Sequence, residues 1–131
     1  MIVLDTHIWL WWISAPDKLS EEAGRAINQA VDEKGIIIST FSTWEIAMLV
    51  DKSRLTLTID LRDWIRKTES LPFVHFVGVD NTIALRSISL PGEFHLDPAD
   101  RIIVATALTM GLPLVTKDEK IRTYTHLETI W

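Results

Sequence analysis

Short apolar runs separated by helix-like segments constrain the fold of this chain most. Ile2-Val3-Leu4 and Ile36-Ile37-Ile38 are apolar at every position, which is typical of strands buried on both faces of a parallel sheet. Further strands are predicted at 74–77 and 112–116, with a final edge strand at 127–131. Because helical patterns fill the intervals, we predict a single α/β domain over residues 1–131, with three α/β/α layers around a mainly parallel sheet of four to five strands.

Composition limits the chemistry that this domain can perform. The 131 residues contain no cysteine, which excludes disulfides, zinc-thiolate sites and thiol catalysis. Any metal must therefore be bound by oxygen or imidazole. The formal net charge of -5 disfavours nucleic-acid binding, unless a bound cation supplies positive charge locally.

The beginning of the sequence gives no sign of export or membrane insertion. Met1 to His7 lack a basic region, and Asp5 interrupts the apolar run. No apolar stretch approaches the ~20 residues that span a bilayer. We therefore expect a cytoplasmic protein without membrane association.

The strongest chemical signal is Asp97-Pro98-Ala99-Asp100, which opens an otherwise apolar helix. Asp97 fits an N-cap and Pro98 the first helical position, where a missing N–H costs nothing. Asp100 then lies in the first turn, near the positive end of the helix dipole. Acids at this end of a helix often have only a capping role, so this motif alone does not establish a functional site.

Three further acids are predicted at the same edge of the sheet. Asp5 and Asp118 follow predicted strands, and Glu45 lies in a first helical turn, although Ser42 to Glu45 also match a capping box that would explain Glu45 structurally. Convergent carboxylates repel one another unless a cation binds them. Oxygen ligands suit Mg²⁺ or Mn²⁺, so the sequence predicts metal-assisted hydrolysis of a phosphodiester.

Four motifs that together cover nearly the whole chain resemble the PIN-domain ribonucleases, and within them the VapC-like toxins. They are Val3-Leu4-Asp5-Thr6, Ser42-Thr43-Trp44-Glu45-Ile46, Asp97 to Ala107, and Leu114-Val115-Thr116-Lys117-Asp118. The resemblance implies that four acids are both catalytic and metal-binding: Asp5, Glu45, Asp100 and Asp118. It implies supporting roles for Thr6 and Asp97, with Asp97 either touching metal or only capping the helix, while the loop residue His95 is a weaker candidate for an RNA contact.

This resemblance also implies a function and partners. We expect an endoribonuclease that depends on Mg²⁺ or Mn²⁺, acts as a toxin, binds a small cognate antitoxin and forms a homodimer. The segment Ile8 to Ile13, which holds three of the six tryptophans, is the predicted interface for the antitoxin or for a second copy, apart from any ring that packs in the core. Two alternatives stay open: an aspartyl-phosphate receiver or phosphatase-like protein, and a catalytically silent PIN-like scaffold.

Overall fold

A computed structural model describes residues 1–93 and 97–131. Within those ranges the chain forms five strands: β1 (Ile2–Leu4), β2 (Ile36–Ser39), β3 (Val74–Val77), β4 (Leu114–Val115) and β5 (Thr129–Ile130). The helices of the same ranges are α1 (Thr6–Ser14), α2 (Glu21–Asp32), α3 (Thr40–Asp51), α4 (Leu61–Glu69), α5 (Asn81–Ile88), α6 (Pro98–Met110) and α7 (Glu119–Arg122), with a 3-10 turn at Pro16–Lys18. None of these helices is long and apolar enough to cross a membrane.

The strands of the described chain form one parallel sheet in the order β3-β2-β1-β4-β5. β1 is central, and its Val3 lies opposite Ile37 on one side and Leu114 on the other. The predicted α/β fold with a parallel sheet is therefore confirmed. The last two strands are shorter than predicted, since β4 and β5 have two residues each.

Helices cover both faces of the sheet, which gives the predicted three layers. Side chains alternate along β1, because successive residues of a strand point to opposite faces. Val3 packs into a core with α5, α6 and α7, whereas Ile2 and Leu4 pack into a second core with α1, α2 and α4. Full burial of one such aliphatic side chain contributes roughly 1.5–3 kcal/mol.

The order of the strands creates a crevice at the carboxyl edge of the sheet. From β1 the chain passes through α1 and α2 to β2 on one side, whereas β4 pairs with β1 on the other side. Connections that leave in opposite directions form a topological switch point, where open parallel sheets bind ligands. Asp5 and Asp118 follow the two strands that flank it.

Candidate functional site

Asp5 lies directly after the central strand and is the N-cap of α1. Its Oδ1 accepts a hydrogen bond from the Thr6 backbone N–H at 2.8 Å, and its Oδ2 accepts one from the Thr116 hydroxyl at 2.7 Å. Only 9% of the residue is exposed. Burial raises the pKa of Asp5, while the hydrogen bond from Thr116 acts in the opposite direction. The carboxylate is thus held in one orientation at a considerable desolvation cost.

Thr116 connects Asp5 to Asp118. This buried residue follows β4, and its hydroxyl donates to Asp5 while accepting from the Asp118 backbone N–H at 3.1 Å. Asp118 in turn caps α7, because its Oδ1 accepts from the Lys120 backbone N–H at 2.9 Å. The sequence analysis predicts no role for Thr116. A signal is nevertheless present, because Thr116 ends an apolar strand two positions before an acid, where its hydroxyl can reach a carboxylate.

Glu45 is positioned by side chains of two helices. Its Oε1 lies 2.6 Å from the Thr6 hydroxyl, which also lies 2.8 Å from the hydroxyl of Ser42. The capping-box explanation is wrong, because α3 begins three residues earlier than predicted and Ser39 is its N-cap, accepting from a backbone N–H at 3.1 Å. Glu45 therefore lies in the second turn of α3. Burial raises its pKa, a change that the contact with Thr6 partly offsets.

Asp97 and Asp100 occupy the positions that their motif predicts. Asp97 is the N-cap of α6, its Oδ1 accepts from the Asp100 backbone N–H at 2.9 Å, and Pro98 is the first helical residue. Asp100 lies in the first turn and is half-buried. His95 falls within 94–96, outside the described residues.

Five acids act on one another's charge at this edge of the sheet, and we call them the acid cluster: Asp5, Glu45, Asp97, Asp100 and Asp118. Burial raises the pKa of Asp100 most, and the other four carboxylates raise it further, to about 7. Asp5 and Asp97 likewise raise the pKa of Glu45. Since like charges have this effect only at short range, acids from four separate parts of the chain converge on one edge of the sheet.

The described residues of the acid cluster do not form a complete coordination site for a metal ion. Over residues 1–93 and 97–131, no three His, Asp or Glu side chains are arranged to hold a metal ion directly. Nor does any ion pair found in those ranges reach the cluster, since the two pairs join the Met1 amino group to Glu33 and Arg25 to Glu21. Within the described residues, no carboxylate of the cluster therefore belongs to an ion pair, although His7 lies close enough to lower the pKa of Asp5 and Glu45.

The tryptophan-rich segment divides between core and surface. Trp9 is fully buried in α1, and its indole N–H donates to the Thr68 hydroxyl at 3.1 Å. Trp11 and Trp12 are half-buried and lie beside the rings of Trp131 and Phe73, respectively, in tilted pairs. Only the latter two rings of the segment therefore present aromatic surface to a partner.

Comparison with known proteins agrees with this architecture. The family model of the PIN domain matches residues 2–127. Ribonuclease VapC22 of Mycobacterium tuberculosis is 36% identical over 132 residues, which cover 99% of this chain and 98% of that protein.

Among solved structures, a toxin-antitoxin complex from Klebsiella pneumoniae shares 24% identity and a TM-score of 0.63, over 95% of this chain and 93% of that one. VapBC2 from Rickettsia felis, bound to a DNA fragment from its promoter, shares 16% identity and a TM-score of 0.73, over 98% and 97%. With the family model spanning almost all of its residues and a relative aligned nearly end to end, this chain belongs to the PIN-domain family.

Proposed function

We propose that this chain is a metal-dependent endoribonuclease, the toxin of a toxin-antitoxin pair, and a single domain that acts in the cytoplasm. The observation that carries the enzymatic proposal is the convergence of the acid cluster at the switch point between β1 and β4. Burial and neighbouring carboxylates raise the pKa of Asp5, Glu45 and Asp100, and such acids are costly to keep unless they serve a function. The named ribonuclease relative supports RNA as the substrate.

The donor set suits a hydrated divalent cation. All its donors are carboxylate oxygens, which Mg²⁺ and Mn²⁺ prefer, and Mg²⁺ typically retains several waters while binding only one or two carboxylates. This accounts for a cluster without three converging direct ligands. When bound, such an ion offsets charge on the phosphodiester and lowers the pKa of the attacking water.

The side chains of the chain itself have distinct roles in this proposal. Asp5, Glu45, Asp100 and Asp118 hold the cation directly or through its waters. Asp5 is kept in place by its two hydrogen bonds, and the Thr6 hydroxyl fixes Glu45. Asp97 supports the site by fixing the first turn of α6 and by adding negative charge beside Asp100.

The family resemblance and the named toxin-antitoxin neighbour support a small antitoxin as partner. Trp11 and Trp12 remain its predicted contact, and Trp12→Ala is the cleaner test because Trp11 also packs on a lysine beside the acid cluster. For a homodimer the structure offers a second surface, on α5, where Leu85 and Ile88 are 71% and 80% exposed. The two side chains are three residues apart on α5 and so share one face, and adjacent exposed apolar side chains form the kind of patch that marks interfaces.

The test of the enzymatic proposal is cleavage of single-stranded RNA by the purified chain with Mg²⁺, with Mn²⁺ and with excess EDTA. We expect cleavage with either ion and none with EDTA. Asp5→Asn and Glu45→Gln should each lower kcat by roughly 100-fold or more while the protein stays folded. Asp60→Asn is the matched control, because Asp60 is an exposed N-cap of α4 and asparagine caps equally well.

Two outcomes would contradict the proposal. Full cleavage in EDTA by preparations free of contaminating nuclease would exclude the metal mechanism, and near-normal turnover by Glu45→Gln would remove Glu45 from the site. A covalent phosphate or a beryllofluoride adduct on Asp5 would instead favour the aspartyl-phosphate alternative, which the family match does not support. Absence of any nuclease activity with either ion would favour the silent scaffold.

A further inference from the structure

Lys117 is held between two indole rings beside the acid cluster. Its Nζ lies 5.7 Å from the centroid of the Trp11 ring and 5.8 Å from that of the Trp131 ring. The ring centroids are 6.1 Å apart and the planes are tilted by 54°. A cation within about 6 Å of an indole face is attracted by the quadrupole of the ring. The two tryptophans therefore favour this position of the ammonium group, each only modestly at an exposed site.

No carboxylate neutralises Lys117 within the described chain. The ion pairs found in residues 1–93 and 97–131 involve Met1 with Glu33 and Arg25 with Glu21, not Lys117. The adjacent Asp118 instead accepts a hydrogen bond from the Lys120 backbone N–H. Lys117 is also exposed, so its charge is available to an anion from outside.

The location of this lysine suggests which anion it binds. Lys117 directly precedes Asp118, and the ring of Trp11 lies 6.0 Å from that of His7, which is close enough to Asp5 and Glu45 to lower the pKa of both. A continuous surface thus leads from the acid cluster through His7 and Trp11 to Lys117. Phosphates that enter the cluster are repelled by its carboxylates, and a fixed cation at its border offsets part of that repulsion.

We propose that Lys117 binds a backbone phosphate of single-stranded RNA next to the bond that is cleaved, and that Trp11 and Trp131 are the residues that position it. This inference rests on the proposed ribonuclease function and names the substrate contact of that site. An acidic protein segment is the competing ligand. RNA is favoured because a positive charge combined with aromatic rings is the usual surface for single strands.

The experiment measures binding of a fluorescent single-stranded oligoribonucleotide to the full chain in the Asp5→Asn background with Mg²⁺, where substrate is not consumed. Lys117→Met, which keeps the apolar stem, should raise Kd roughly 5-fold and lower the slope of log K against log salt by about 0.7, the value of one lost phosphate contact. Lys117→Arg should retain both. Lys52→Met is the charge-matched control, because Lys52 follows α3 at its far end.

Trp131→Leu tests the positioning role. It should raise Kd roughly 2-fold and leave the salt slope almost intact, because the lysine remains but is no longer fixed. In the catalytically competent chain, Lys117→Met should raise KM more than it lowers kcat. If Lys117 only stabilised the fold, Lys117→Met would change the unfolding midpoint without changing the salt slope, and if Trp131 only stabilised the fold, Trp131→Leu would change the midpoint without changing Kd.

Three results would overturn the inference. An unchanged Kd and slope for Lys117→Met would mean that the lysine merely covers the rings. An equal dependence on Lys117 for an oligoglutamate peptide of the same charge would indicate a site for an acidic protein. Absence of RNA binding by every variant, including the Lys52→Met control, would overturn the proposed function as well, which distinguishes that failure from the failure of Lys117 alone.

Discussion

Asp100→Asn should stabilise the metal-free protein, and the gain should grow with pH. The unfolded chain releases the Asp100 proton near pH 3.8, whereas the folded protein retains it up to about pH 7. Because the pKa is raised in the folded state, wild-type stability is unaffected below pH 3.8 and falls as pH rises towards 7. Asparagine has no such proton and escapes this loss.

The size of the effect follows from the same pKa. The pKa of Asp100 rises from 3.8 to about 7 on folding. At 1.36 kcal/mol per pH unit, the wild type loses at most about 4 kcal/mol of unfolding free energy when Asp100 ionises. Solvent reaches part of the carboxyl group and screens its charge, so about half of that limit is realistic, ~2 kcal/mol at pH 8. At pH 5 the variant should exceed the wild type by less than about 1 kcal/mol in unfolding free energy, since most of the loss in the wild type occurs between pH 5 and pH 7. At pH 8 the substitution also removes the favourable contact of the carboxylate with the helix dipole, which subtracts roughly 0.5 kcal/mol from the increase in stability.

Urea unfolding in EDTA, followed by tryptophan fluorescence at pH 5 and pH 8, measures both free energies. At pH 8 the variant should also melt roughly 5–10 °C above the wild type. Asp60→Asn, at an exposed N-cap remote from the acid cluster, should show a pH-independent difference near zero. If Asp100→Asn were no more stable than the wild type at pH 8, the carboxylates would not repel one another as inferred.

Three further predictions concern positioning and assembly. Thr116→Val removes the hydroxyl that donates to Asp5, so urea unfolding should show a loss of about 1–2 kcal/mol and RNA cleavage a lower kcat, with Thr116→Ser retaining both. Asp97→Asn should lower kcat far less than changes in the four proposed metal-binding acids, because asparagine also caps helices well. Leu85→Glu or Ile88→Glu should shift the chain towards monomer in sedimentation velocity while RNA cleavage per folded chain persists, and an unchanged mass would exclude α5 as the dimer surface.

The sequence predicts most of the fold because the two central strands are apolar at every position. Ile2 to Leu4 and Ile36 to Ile38 can only be buried on both faces, which requires helices on each side of the sheet. The last two strands are harder to delimit, because their ends are set by pairing, of β4 with β1 and of β5 with β4, rather than by their own residues. β4 therefore covers only Leu114–Val115 of the predicted run.

The sequence predicts the position of an acid well where the acid directly follows a strand, as Asp5 follows β1, and less well where two local signals compete. Ser42 to Glu45 match a capping box, but Ser39 is the N-cap of α3 although no Glu or Gln follows it three residues later. The contact of Lys117 with Trp11 and Trp131 joins side chains from α1, from the loop after β4 and from the residue after β5. Such a contact depends on tertiary packing, which no spacing in the sequence encodes.

The acid cluster and the hydrophobic cores are energetically linked. Burial that stabilises β1 also desolvates Asp5 at its end, so an ionised carboxylate is costly there. Against that cost stand many buried aliphatic side chains, each of which contributes roughly 1.5–3 kcal/mol. The fold can therefore tolerate an unfavourable carboxylate group, and two hydrogen bonds hold the Asp5 carboxylate in one orientation. Amide substitutions of Asp5, Glu45 and Asp100 should therefore stabilise the metal-free protein while they lower kcat strongly, which is the relation expected when a site is maintained for function against stability.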